Sequence, residues 1–176
     1  MAGKQNKKQP EHPAYETAWE KIRSEMLRDL AWKVYPQLGK PGQMARDDWA
    51  CVTNQGDIIL NGARSGTVGE WEYVLTHCLL HLGMDHFQRE RMEESAWLAA
   101  CDLLVTDFLR SSHTGTPPPE FQRMPPFPVK SEEQAYSYLK EHPELLATCG
   151  FSTMARGRPD MVWTGEPPRT SFQKLF

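Results

Sequence analysis

Residues 77–86 read His77-Cys78-Leu79-Leu80-His81-Leu82-Gly83-Met84-Asp85-His86, and this stretch holds half of the six histidines in a chain of 176 residues. Positions i and i+4 of a helix lie about 40° apart, so His77 and His81 project from one face and can share a metal ion. His86 follows His77 by nine positions, and on an unbroken helix it would point to the opposite side, about 180° away. Gly83 offers the exit, because glycine just past the last turn is a common way to leave a helix. The chain then swings back and presents His86 to the same ion. Two histidines from a helix, a glycine turn and a third ligand beyond it leave a fourth position for water, and the ligand type favours zinc. The plainer alternative is a set of scattered histidines, one or two of them buried and hydrogen-bonded.

Outward from this stretch, the helix that carries His77 and His81 is expected over about 70–82. A further helix is expected over about 92–110, with Trp97, Leu98, Cys101, Leu104, Val105 and Phe108 as its apolar side. Upstream, Ala18, Ile22, Met26 and Leu30 fall four apart and predict a helix over about 14–35, ended by Pro36. Trp49 to Thr53 and Asp57 to Leu60 flank Asn54-Gln55-Gly56 and read as a small hairpin. Downstream, six prolines within residues 114–128 predict a stiff surface crossing. Ser131 with Gln134 then forms a capping box for a helix over about 131–140. Residues 1–13 read as a flexible tail, 14–145 as one mostly helical α+β domain, and 146–176 as an irregular C-terminal extension.

At this point the sequence resembles a known family, the zincin-like predicted metallopeptidase domain of bacteria, often found with a von Willebrand factor A-like domain and encoded near MoxR-type ATPases. The family core reads H-E-x-x-H-x-x-x-x-H-x-x-R, followed by a helix with W-x-x-A-x-D. His77, His81, His86 and Arg89 stand at those spacings, then Trp97, Ala100 and Asp102. The run Gly56-Asp57-Ile58-Ile59-Leu60-Asn61 is similar to the family's short strand, and residues 131–139 to its S-x-E-x-x-Y-x-x-L helix, so the resemblance spans roughly residues 15–140. It implies a zincin-like fold with an active helix, one zinc ion, a peptide or protein substrate, and an AAA+ ATPase or von Willebrand factor A-like partner.

The chain departs from the family at one decisive position: Cys78 stands where the motif has Glu. That Glu takes a proton from the metal-bound water and passes it to the leaving amine. A thiol is too short for that role, so hydrolysis is expected to be impaired or altered. Cys78 itself reads as a small buried residue, an extra soft ligand, or a redox-sensitive thiol. As substitutes, Tyr73 lies one turn before His77 on the ligand face, and Asp85 precedes His86 in the turn. Glu70 shares the face but sits about 10 Å away along the axis. Asp102 is a carboxylate on an apolar helix face and needs a partner. The N–H of a ligand histidine is the natural one, with pairing to Arg89 or a helix cap as alternatives. Arg89 either clamps a substrate carboxylate or pairs with Asp102.

Two further function classes stand beside a zinc peptidase. One is a catalytically inactive, metal-stabilised interaction module. The other rests on a similarity to YbeY-type endoribonucleases, whose H-x-x-x-H-x-L-G-x-D-H motif is one residue longer between its second and third histidines. The balance of 20 Lys and Arg against 23 Asp and Glu, a net charge of −3, argues against a nucleic-acid or anionic-membrane footprint. No apolar run reaches the roughly 20 residues of a membrane helix, and the N-terminus lacks a secretory apolar stretch, so a cytoplasmic location is expected. Cys51, Cys78, Cys101 and Cys149 form no C-x-x-C pair and read as reduced thiols.

Overall fold

The computed structural model describes residues 13–28, 34–40, 42–92, 94–121, 130–147, 152–154 and 158–166; the Arg89 side chain lies outside the described set. The fold is α+β. Helix α1 spans Ala14–Glu25, α2 Val68–Gly83, α3 Ser95–Ser112 and α4 Glu132–Glu141. Strands β1 (Gln37–Leu38), β2 (Ala50–Thr53), β3 (Ile58–Leu60) and β4 (Met161–Val162) form one mixed sheet in the order β1-β3-β2-β4.

The centre is α2, and its sequence explains why. Trp71 and every residue from Tyr73 to Leu82 are buried, so the helix is covered all round rather than on one stripe. Its start is held by a capping box: Thr67 Oγ1 accepts from the Glu70 backbone N–H, while the Glu70 carboxylate accepts from the Thr67 N–H at 2.8 Å. Glu70 therefore serves the helix terminus. At the other end α2 runs through Gly83 instead of stopping before it. The left-handed residue is Asp85, at φ 55°, two positions later than the glycine exit predicted.

α1 packs on α2 through Ala18, Trp19 and Ile22, and its Tyr15 meets Trp71 edge-on. It ends at Glu25, ten residues earlier than the four-apart stripe suggests, with Met26 already exposed; Leu30 lies outside the described residues. β2 and β3 form the expected antiparallel pair, closed by Gly56 at φ 85°. α3 starts at Ser95, three residues later than the apolar pattern suggests, because Glu94 takes the cap position. α4 begins where the sequence places it, with Ser131 Oγ accepting from the Gln134 N–H.

The C-terminal stretch differs from the irregular extension expected of it. β4 pairs parallel with β2, bringing Met161 opposite Val52 and Val162 opposite Thr53. Thr153 adds two anchors, its carbonyl accepting from Trp49 N–H and its hydroxyl donating to the Ala50 carbonyl. The sheet gains an edge from a segment over 100 residues away in sequence.

α3 and α4 join through a separate small core of Ala96, Ala99, Ala100, Leu103, Ala135 and Leu139. Leu139 is fully buried there. Leu139→Ala is expected to lower the unfolding free energy by about 2–5 kcal/mol, read from urea titrations of the two chains at equal metal loading.

Candidate metal centre

α2 places His77 and His81 one turn apart with both Nε2 atoms facing the same point, 2.9 Å from each other. α3, packed against α2, brings Asp102 to that point. Its Oδ1 lies 3.4 Å from His77 Nε2 and 3.2 Å from His81 Nε2. The segment before β4 supplies a second carboxylate, Asp160, with Oδ2 3.1 Å from His77 Nε2 and Oδ1 3.8 Å from His81 Nε2. One donor atom from each of the four residues falls within 4.8 Å of all the others. The residues are buried, with exposures of 0%, 0%, 5% and 1% for His77, His81, Asp102 and Asp160.

Asp160 is oriented by its own neighbourhood. Its Oδ2 accepts from the Thr153 N–H at 2.8 Å and lies 3.0 Å from the Thr153 hydroxyl, whose one proton is shared with the Ala50 carbonyl, and its carbonyl accepts from Val52 N–H in line with β4. Burial opposes ionisation of Asp160, but His77 and His81 outweigh it and hold the carboxyl below the usual carboxylate range. Burial likewise disfavours charge on His77, and the Asp102 and Asp160 carboxylates outweigh that to hold it up at about 9 in the metal-free chain. Asp102 Oδ1 is buried and makes no aligned hydrogen bond, although it stands in ion-pair contact with both imidazoles.

Of the residues singled out in the sequence, His77, His81 and Asp102 come together. His86 stands behind them: its Nδ1 lies 2.9 Å from His81 Nδ1, the nitrogen that faces away from the cluster, and its Nε2 lies 3.3 Å from Glu132 Oε1. Burial lowers the His86 pKa despite the Glu132 carboxylate, and the hydrogen bond to His86 lowers that of Glu132. Asp85 is exposed in the left-handed turn and outside the group. Tyr73 is buried against Phe121, ring centroids 5.7 Å apart. Arg89 lies in a 3₁₀ turn over Arg89–Arg91.

Cys78 is fully buried near Thr153 and Asp160 and is not one of the four clustered residues. Burial pushes its thiol well above the usual cysteine range, which disfavours it as a base in the metal-free chain.

Asp160 has no counterpart among the sequence-derived candidates. The only signal is Arg158-Pro159-Asp160-Met161-Val162-Trp163, a carboxylate directly before a short apolar run. Nearby, Tyr73, Arg110, His113, Pro117 and Phe121 line a cavity of about 280 Å³, and the Phe121 ring stands 6.4 Å from that of His77, centroid to centroid. Comparisons with protein-family models, with curated protein sequences and with solved structures returned no match to this chain.

Proposed function

We propose that this chain is a zinc-binding domain of zincin-like architecture in which the ion is structural, and that the domain acts as an interaction module rather than as a peptidase. The observation that carries this reading is the buried Asp102 Oδ1 without an aligned hydrogen bond, facing two imidazole nitrogens and a second buried carboxylate. Ligands at zinc-bond lengths around a tetrahedral ion stand about 3.3 Å apart, and the donors of His77, His81 and Asp102 lie 2.9 to 3.4 Å from one another, with Asp160 Oδ2 3.1 Å from His77. Two ionised carboxylates also balance one divalent cation, which answers the cost of burying them. Two nitrogen and two oxygen donors suit zinc. When bound, zinc supplies Lewis acidity and cross-links the ligands that hold it.

Four protein donors in a buried site match closed structural zinc centres; catalytic ones keep a position open for water. A hydrolase also needs a proton acceptor at the metal, and burial disfavours the Cys78 thiol as a base in the metal-free chain. One observation favours hydrolysis as a second reading: the cavity is lined by Phe121, whose ring stands beside that of His77. Peptide substrates, and AAA+ or von Willebrand factor A-like partners, rest on the family resemblance alone.

The purified chain is expected to carry one zinc by mass spectrometry and to lose it in His81→Ala and in Asp160→Asn. A chain that keeps its zinc in Asp160→Asn has a different ligand set, and one that never binds zinc overturns the reading. Zinc-loaded protein is expected to leave casein intact. Cleavage that disappears in His81→Ala establishes the hydrolytic reading instead.

Protons and the ion compete for the same nitrogens. With His77 at about 9 in the metal-free chain, zinc binding near neutral pH is expected to release about one proton per ion, read by calorimetry in two buffers of different ionisation enthalpy. The raised pKa stabilises the metal-free fold fully below the unfolded value of 6.5, and that contribution disappears as pH climbs through 9. Urea midpoints of chelated protein should fall over this window, and those of zinc-loaded protein should not.

Among the described residues Asp160 is the one ligand candidate from the C-terminal segment, so chelation should loosen that segment first. Hydrogen exchange at 158–166 is expected to accelerate on adding chelator, while the interior of α2 remains protected. Equal protection with and without chelator at 158–166 contradicts this coupling.

A further inference from the structure

The metal reading leaves His86 and Glu132 without a role, although they form one connected path from the surface to His81. Glu132 is the first residue of α4, and its side chain is 30% exposed. Its Oε1 lies 3.3 Å from His86 Nε2, and His86 Nδ1 lies 2.9 Å from His81 Nδ1. The carboxylate accepts, so the Nε2–H of His86 donates to Glu132. The Nδ1 of His86 then carries a lone pair and accepts from the Nδ1–H of His81. That leaves the free lone pair of His81 on Nε2, the atom that faces His77, Asp102 and Asp160.

We propose that Glu132 and His86 are positioning residues that fix the ring and the tautomer of His81 toward a bound zinc ion, so that α4 tunes a centre to which it gives no ligand. This rests on the metal reading above.

The surroundings hold both residues in place. The His86 carbonyl accepts from Trp97 Nε1 at 3.1 Å, and the imidazole stands edge-on to the Trp97 ring. Tyr136, one turn along α4 from Glu132, stacks edge-on with Trp97, and its phenol donates to Glu94 at 2.5 Å. A negative side chain in the first turn of a helix is favoured by the unpaired N–H groups there, which keeps Glu132 an acceptor. His77 is built differently: its Nδ1 has no hydrogen-bond partner among the described residues. Orientation from behind therefore reaches one imidazole of the two. Hydrogen bonds of this kind to a metal-bound imidazole change affinity by about 10–100-fold when removed.

The test measures zinc affinity by competition with a chromophoric chelator for the full chain and three variants. Glu132→Ala is expected to bind about 10–100-fold more weakly. Glu132→Gln is expected to recover most of that loss, because its amide oxygen still accepts from the His86 Nε2–H. Glu133→Ala, which removes the adjacent carboxylate that pairs with Arg91, is expected to match wild type. Cobalt-substituted Glu132→Ala should keep the intense visible bands of a four-coordinate ion, showing weaker binding by an unchanged ligand set. The rise in thermal midpoint on adding zinc, taken against each chelated chain, should shrink in Glu132→Ala and recover in Glu132→Gln, which separates positioning from a general loss of stability. Glu132→Ala with wild-type affinity overturns the proposal while leaving the metal reading intact, as does Glu132→Gln as weak as Glu132→Ala. A wild-type chain with no zinc affinity overturns both.

Discussion

Two carboxylates and two imidazoles meet in the most enclosed part of this molecule, and the surrounding fold is arranged around the cost of keeping them there. A buried carboxylate that loses its partner costs about 3–5 kcal/mol, comparable to the whole margin by which a domain of this size is folded. Among the described residues, no lysine or arginine reaches the group; the cationic groups close to it are the histidines themselves. The arrangement is therefore stable only with a proton or a cation in the centre. That single condition explains why α2 is buried on all sides, why α3 carries an aspartate between Cys101 and Leu103, and why the C-terminal segment is drawn onto β2.

The parts legible in the sequence are those set by local geometry. The spacing of His77 and His81 requires only that one helix exists, and apolar periodicity with the Thr67 and Ser131 caps establishes the helices. Asp102 is visible for a related reason, as a carboxylate among apolar neighbours on α3. Asp160 is not legible, because its place depends on a parallel pairing between β2 and β4 that no local pattern announces. A two-residue strand also carries too little alternation to be read against its polar flanks. His86 is intermediate: the return of the chain after α2 follows from Gly83 and its neighbours. Which side of His81 it reaches depends on the left-handed turn at Asp85 and on α4 behind it.

α4 shows how a peripheral element gains influence over a buried centre. Its hold on the rest of the molecule is the small alanine- and leucine-rich core shared with α3, where close approach of the two helices needs side chains as small as Ala99, Ala100 and Ala135. That approach delivers Glu132 to His86 and Tyr136 to Trp97 in the same turn of helix. α3 is thus the common support, giving Asp102 from one face and receiving α4 on another. Displacing α4 along its axis by one residue would move Glu132 about 1.5 Å, enough to break a contact that stands at 3.3 Å.

Cys78 and Asp160 are best understood together. A glutamate at position 78 would bring a third carboxylate into a fully buried position beside Asp160 and Thr153, and a divalent ion balances only two. A small neutral thiol avoids that conflict and leaves Thr153 free to hold Asp160 by its N–H. Four buried donors from α2, α3 and the segment before β4 meet at this point among the described residues. Among the described residues, the centre holds two imidazoles and two carboxylates, and the second carboxylate comes from Asp160 in the C-terminal segment rather than from the helix that carries the histidines.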